Sequence, residues 1–288
     1  MPMLVIKGSF HVKGGAKPDG DTIPFTPDHP TDWKLVPGLR KVVPKADGHA
    51  NVRLEAIDAL ETHYSGQGPE VHQPLPFAHA AADELLNWLG FTDVHRNPDE
   101  TVTATPDSVP GFILTRGADI HNRCVALVGR GAPPAASGYE INVGVPLLRK
   151  TANHHLLTLG LAFPTYYAGL PSTLRDELTV AVDQAQAAPA KGLWPSDVTM
   201  TGAKVTGMSS ITDEVVILPK LFRRLKDYLD LGNPSLACFP SFLAGAADTF
   251  RILSTDTFRT GLHHVVEISN GNTVRMTHPA EDLLFDEA

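Results

Sequence analysis

Three short polar stretches sit where the chain otherwise reads as apolar strands, and the chemistry the protein could do is concentrated in them. They are "PDGDT" at 18–22, "VRLEAIDALETH" at 52–63 and "RGADIHNR" at 116–123. Asp21 and Asp58 can offer hard oxygen ligands to a divalent cation such as Ca²⁺. Arg53 and Arg123 present two guanidinium forks suited to one phosphate. Glu61 supplies an acceptor able to activate or orient a water. Metal, charge clamp and base are together the parts of phosphodiester hydrolysis. Each stretch alone has an ordinary explanation, as a turn, a solvated strand residue or a strand-edge charge. Their common position at strand ends of one barrel-like sheet is what makes them a candidate site.

The elements that must position these residues can be read from periodicity. Val52, Leu54 and Ala56 alternate with Arg53 and Glu55, the pattern of a strand with one wet face, and Asp58 then breaks the rhythm. Strands are predicted over 4–12, 22–25, 52–57, 101–105, 111–115 and 123–128. Residues 26–50, rich in proline, aspartate and glycine, read as a long insertion or lid. Ala81, Leu85, Leu86 and Leu89 recur at helical spacing, with Gly90 as the stop. Residues 152–163 read as a short buried helix. A longer amphipathic one opens at Pro171-Ser172 and closes near Pro189 or Gly192. Past a boundary placed near 196, residues 214–229 suggest a helix with a basic face. Residues 250–279 suggest strands with Asn270-Gly271-Asn272 as a hairpin turn. The fold class is therefore α+β, with 1–196 as the main domain and 197–288 as a smaller α+β extension.

Composition bounds the partners. The 288 residues carry a net charge of −8, with 42% hydrophobic and 19% charged residues, as in a folded globular protein. The acidic balance excludes a general nucleic-acid coat but not a nucleic-acid enzyme with a local basic pocket. The 2 cysteines, Cys124 and Cys238, are too few for a disulfide framework and read as buried thiols in a reducing compartment. No secretory signal or membrane span is visible, so the expected location is cytoplasmic, with no membrane partner.

The order "DGDT … VRLEAIDALETH … RGADIHNRCVALV … NHHLLTLGLAFPTYY", with the helix "AAADELLNWLGF" between, resembles the staphylococcal nuclease family over about residues 5–195. That resemblance implies a five-stranded OB-type barrel with packed helices, and Ca²⁺-dependent cleavage of DNA or RNA. It makes Asp21 and Asp58 the metal carboxylates and Ala59 the donor of a backbone carbonyl to the metal. Arg53 and Arg123 become the phosphate-holding pair, Glu61 the general base, and Asp119, His121 and Tyr166 substrate-side residues. The chain departs from the family pattern at Ala59 and Leu60, where threonine and proline are usual. It departs again at Ile120 and His121, where lysine and tyrosine are usual, and in the long 26–50 insertion.

Other chemistries have weaker signals. Thirteen histidines occur, but no HExxH pattern, and the pairs His154-His155 and His263-His264 cannot each face one side of an element. No GxSxG is present, and Cys124 lies within an apolar strand. The basic stretch "FRRLKDYL" reads as a solvated helix face or a nucleic-acid contact. A different class of function, a non-catalytic nucleic-acid- or partner-binding OB-type module, has little use for both carboxylates and Glu61 together.

Overall fold

The computed structural model of the chain describes residues 2–13, 15–188, 190–232 and 235–286. Strand β1 (Pro2–His11) pairs antiparallel with β2 (Thr22–Pro27), and β2 with β3 (Ala50–Leu54). β3 runs parallel to β5 (Cys124–Arg130). β5 pairs with β4 (Ser108–Ala118), which returns along β1. The ring β1-β2-β3-β5-β4-β1 is a closed five-stranded barrel, consistent with an OB-type barrel. Helix α1 (Leu75–Leu89) lies between β3 and β4 and stops at Gly90, whose φ of 106° fits a left-handed cap.

The alternation read from the sequence sorts the two faces of these strands. Val52, Leu54, Cys124, Ala126 and Val128 are buried in the barrel core, while Arg53 and Val125 are outward partners in the parallel register. β3 nevertheless ends at Leu54, earlier than the expected 57. Ala56 takes a left-handed φ of 67°, a conformation disfavoured by about 1–2 kcal/mol for an L-residue. The surroundings enforce it. Glu55 N donates to Ala126 O at 2.8 Å, and the buried Asn153 donates Nδ2 to the carbonyls of Glu55 (2.8 Å) and Ala126 (3.1 Å). Ile57–Asp58 then pairs with Phe163–Pro164.

The 26–50 insertion is anchored through a few buried side chains, while much of its length is exposed. It forms a short helical turn over Pro30–Leu35, and its buried Trp33 sits edge-on to Phe25 at 6.0 Å and donates to Gly48 O at 3.0 Å. Val36 and Val42 are buried with it, and Val43 N reaches Asn122 O in the β4–β5 turn. Helices α2 (Ala152–Thr158) and α3 (Ser172–Ala187) follow the barrel, and Pro189, near the expected end of α3, lies outside the described residues.

A second apolar cluster gathers Leu221, Phe222, Leu225, Phe239 and Phe250, and it draws Leu60, Ala78 and Phe163 from the first part of the chain. Its helix α4 spans Pro219–Leu229, five residues shorter at its start than expected. Proline has no N–H to donate, which suits it to the first turn of a helix. The expected hairpin is present, with Asn270 and Gly271 at φ 52° and 74° between Val266–Ser269 and Thr273–Met276. Cys124 is buried as expected, whereas Cys238 is exposed. Among the described residues no helix is long and apolar enough to cross a membrane.

Candidate functional site

The loop before β2 and the loop after β3 are pressed together. A Cβ on Gly20 would lie 2.7 Å from that of Ala59 and 2.6 Å from that of Ala81 on α1, so only glycine fits there without displacing its neighbours. Leu54 N donates to Asp21 O at 2.7 Å, which ties the start of β2 to the end of β3. Asp19 accepts from both the backbone N–H (3.0 Å) and the hydroxyl of Thr62. These contacts bring Asp19, Asp21, Asp58 and Glu61 to one end of the barrel.

Two guanidiniums stand among the carboxylates. Arg53 Nη2 donates to Asp58 Oδ1 at 2.9 Å and lies 3.5 Å from Asp21 Oδ2. The second is Arg223, from α4, which sequence reasoning did not assign to the site. Its Nη2 donates to Asp58 Oδ2 at 2.7 Å. Its Nη1 reaches Asp58 Oδ1 at 3.2 Å and Glu61 Oε1 at 2.5 Å. Asp58 has no exposed side-chain surface, and both its oxygens are committed to arginine. Glu61 Oε2 makes no hydrogen bond among the described residues, and the side chain keeps 14% exposure.

The face of α4 that carries Arg223 is fixed by further polar contacts. Positions i, i+3 and i+4 of a helix share a face, so Arg223, Lys226 and Asp227 all meet the loop after Asp58. Lys226, fully buried, donates Nζ to Ser65 O and pairs with Asp230 at 2.5 Å; Tyr64 OH donates to Asp227 at 3.2 Å. Gln73 spans both sides. It accepts from Glu61 N at 3.3 Å and donates Nε2 to Ile217 O at 2.9 Å. Arg224 and Lys220 pair with Asp248. The basic stretch read as a solvated face is thus largely turned onto acidic partners.

Burial and uneven charge split the acids. For Asp58, burial acts to raise the pKa, but Arg223 and Arg53 overcome it and hold the group down at about 2. Glu61 is pushed up to about 7 by burial, against the pull of Arg223 and with the help of Asp19, Asp21 and Asp58. Asp19 also rises to about 7, through burial and the neighbouring Asp21, despite its bonds from Thr62. Burial lowers the affinity of Arg53 and Arg223 for their protons, and the carboxylates more than reverse this.

The remaining expected residues are placed differently. Arg123 immediately precedes β5, two residues before Val125, the register partner of Arg53. It does not touch the cluster. Its Nε is held by Asp119 Oδ2 at 2.8 Å, while Asp119 Oδ1 accepts from the N–H groups of His121 and Arg123. The terminal nitrogens of Arg123 make no hydrogen bond among the described residues, and 27% of the side chain is exposed. His121 is exposed in the β4–β5 turn, with its backbone as the contact. Tyr166 does not reach the cluster. Its ring is fully buried, and its hydroxyl bonds Thr179 Oγ1 at 2.9 Å on α3. Strand alternation makes its neighbour, Tyr167, the tyrosine within electrostatic reach of Arg53. Ala59 is buried against Gly20.

The donor set is all oxygen and therefore suits a hard cation in kind. Its arrangement does not fit one as it stands. Among the described residues no three His, Cys, Asp or Glu side chains close on one point, and guanidinium nitrogens occupy both oxygens of Asp58. No protein-family model matches the chain, and no curated protein matches it at a significant level.

Proposed function

We propose that the protein hydrolyses phosphodiester bonds of DNA or RNA at the Asp21–Arg53–Asp58–Glu61 cluster. The observation that carries this reading is convergence. Three carboxylates singled out from two stretches of sequence, Asp21, Asp58 and Glu61, lie around the guanidiniums of Arg53 and Arg223 at one barrel end. The order of these residues along the chain, similar to that in the staphylococcal nuclease family, supports the same reading.

The roles follow from the environments. Arg53 and Arg123 bind the non-bridging phosphate oxygens, Arg123 through the terminal nitrogens that Asp119 leaves open. Glu61, with a pKa near 7 and a free Oε2, accepts the proton of a water as its oxygen bonds to phosphorus. The ester P–O bond breaks, and the leaving alkoxide takes a proton from solvent. Asp58 and Asp21 orient Arg53. The test is a cleavage assay on single- and double-stranded DNA and on RNA, with Ca²⁺, Mg²⁺, Mn²⁺ or chelator. Cutting that Glu61→Gln abolishes supports the reading, and equal cutting by that variant removes it.

A second reading, a non-catalytic binding module, is favoured by one observation. Asp58 is wholly consumed by its two arginines, as in an ion-pair network that only fastens α4 to the barrel. Nucleic-acid binding without turnover under every metal condition would select it.

A further inference from the structure

The cluster holds four carboxylates and two guanidiniums, and the second guanidinium comes from a helix about 160 positions along the chain. We infer that Arg223 is the cation of this site, occupying with its fork the position on Asp58 and Glu61 that a divalent metal ion would need. The inference rests on the phosphodiesterase reading only for the choice of ion to test. The geometry itself is independent of that reading.

Three observations carry it. Arg223 binds both oxygens of Asp58, at 2.7 and 3.2 Å, and one oxygen of Glu61, so it bridges two acids as a shared metal ion would. Asp58 is left with no exposed side-chain surface through which an ion could add without displacing a guanidinium. The helix that carries Arg223 is also anchored beside the cluster. Lys226 on Ser65 O, Asp227 under Tyr64 and Gln73 on Ile217 O hold its face of α4 against the loop. The segment 197–288 therefore supplies a positioning residue of the site, acting through Asp58 and Glu61. A divalent cation and Arg223 are alternatives at these two acids.

The test uses the full chain and Ca²⁺ itself as the probe. Calorimetric titration of the unaltered protein should show no saturable Ca²⁺ site. Binding of Ca²⁺ that Asp21→Asn or Asp58→Asn weakens tenfold or more overturns the inference, whatever the cleavage assay shows. Arg223→Gln removes the charge and should create the dependence. Saturating Ca²⁺ should raise its melting temperature by at least about 2–4 °C more than that of the unaltered protein at matched ionic strength. Arg223→Lys, which restores a cation, should return to Ca²⁺ insensitivity. An Arg223→Gln protein that no Ca²⁺ concentration stabilises, or that fails to fold with and without Ca²⁺, counts against the inference, because the ion was expected to replace the side chain. Failure of the hydrolase reading would appear instead as absent cleavage with these titrations unchanged.

Discussion

Two arginines, Arg53 on the barrel's outward face and Arg123 just before β5, have the same side chain and the same inferred ligand, yet they live in opposite environments. Arg53 is 14% exposed and is shared between Asp21 and Asp58, the latter also bound by Arg223 from the far end of the chain. Arg123 is 27% exposed and is held on one edge by Asp119, four residues earlier in its own turn. The first belongs to a network that the fold cannot lose cheaply, because removing Asp58 would leave its two arginines buried without their common partner. The second is a local clip that leaves donors open to solvent. Stability is thus concentrated in the buried cluster around Arg53, whereas Arg123 keeps open donors.

The sharpest way to break this contrast is Asp58→Ala. It leaves two buried guanidiniums without their common partner, and chemical denaturation should show a loss of about 3–5 kcal/mol. A loss below about 1 kcal/mol would place the buried cluster on a level with an exposed ion pair and end the distinction.

Glu61→Gln should come next, through activity. Cleavage should fall by roughly 10²–10⁴-fold, the usual contribution of a general base, while circular dichroism reports an intact fold.

The pH dependence of stability is the third lever. Asp19 and Glu61 have folded pKa values raised to about 7, so the stability they contribute is full below about pH 4 and is lost as pH rises towards 7. Asp58, lowered to about 2, contributes stability above its unfolded value near 4 that disappears as pH falls through 2. The cluster should therefore contribute most near pH 4. Denaturation curves from pH 2 to 8 check this, and Asp19→Asn should flatten the slope between 4 and 7. A slope unchanged by that substitution would detach Asp19 from the network.

The smallest effect belongs to Arg123→Ala. It should cost less than about 1 kcal/mol of stability, while weakening substrate capture, read as a raised KM in the cleavage assay. A large stability loss without a change in KM would make Arg123 structural and reverse its place in the comparison.

Much of this was legible in the chain before folding was considered. The inward residues of β3 and β5, α1 with its Gly90 stop, and the Asn270-Gly271 hairpin all followed from period and turn chemistry. So did the grouping of Asp21, Arg53, Asp58 and Glu61, because charges gathered at the ends of apolar strands need a reason. Arg223 was not legible. In its own stretch it is one cation of a helix whose basic residues look solvated, and its partners lie 162 and 165 positions away. A signal did exist in the mismatch between the excess of acids in the barrel loops and the concentration of bases at 220–226. Nothing local paired the two.

Tyr166 and the end of β3 illustrate the same limit on a smaller scale. "FPTYY" offers two adjacent tyrosines, and only strand parity and the packing of α3 decide which one is buried. Likewise the alternation through Ala56 reads as continuing strand. The chain turns there because Asn153, nearly one hundred residues on, captures the carbonyl of Glu55.

By itself, then, the sequence determined the barrel's strands and the polar residues clustered at their ends, because periodicity and local propensity act over a few residues. Only the tertiary structure decided that a C-terminal arginine completes the cluster, that Arg123 stands apart with open donors, and that Asp58 is closed to solvent. Those outcomes depend on which distant side chain reaches a buried charge first, and burial is a property of the assembled fold.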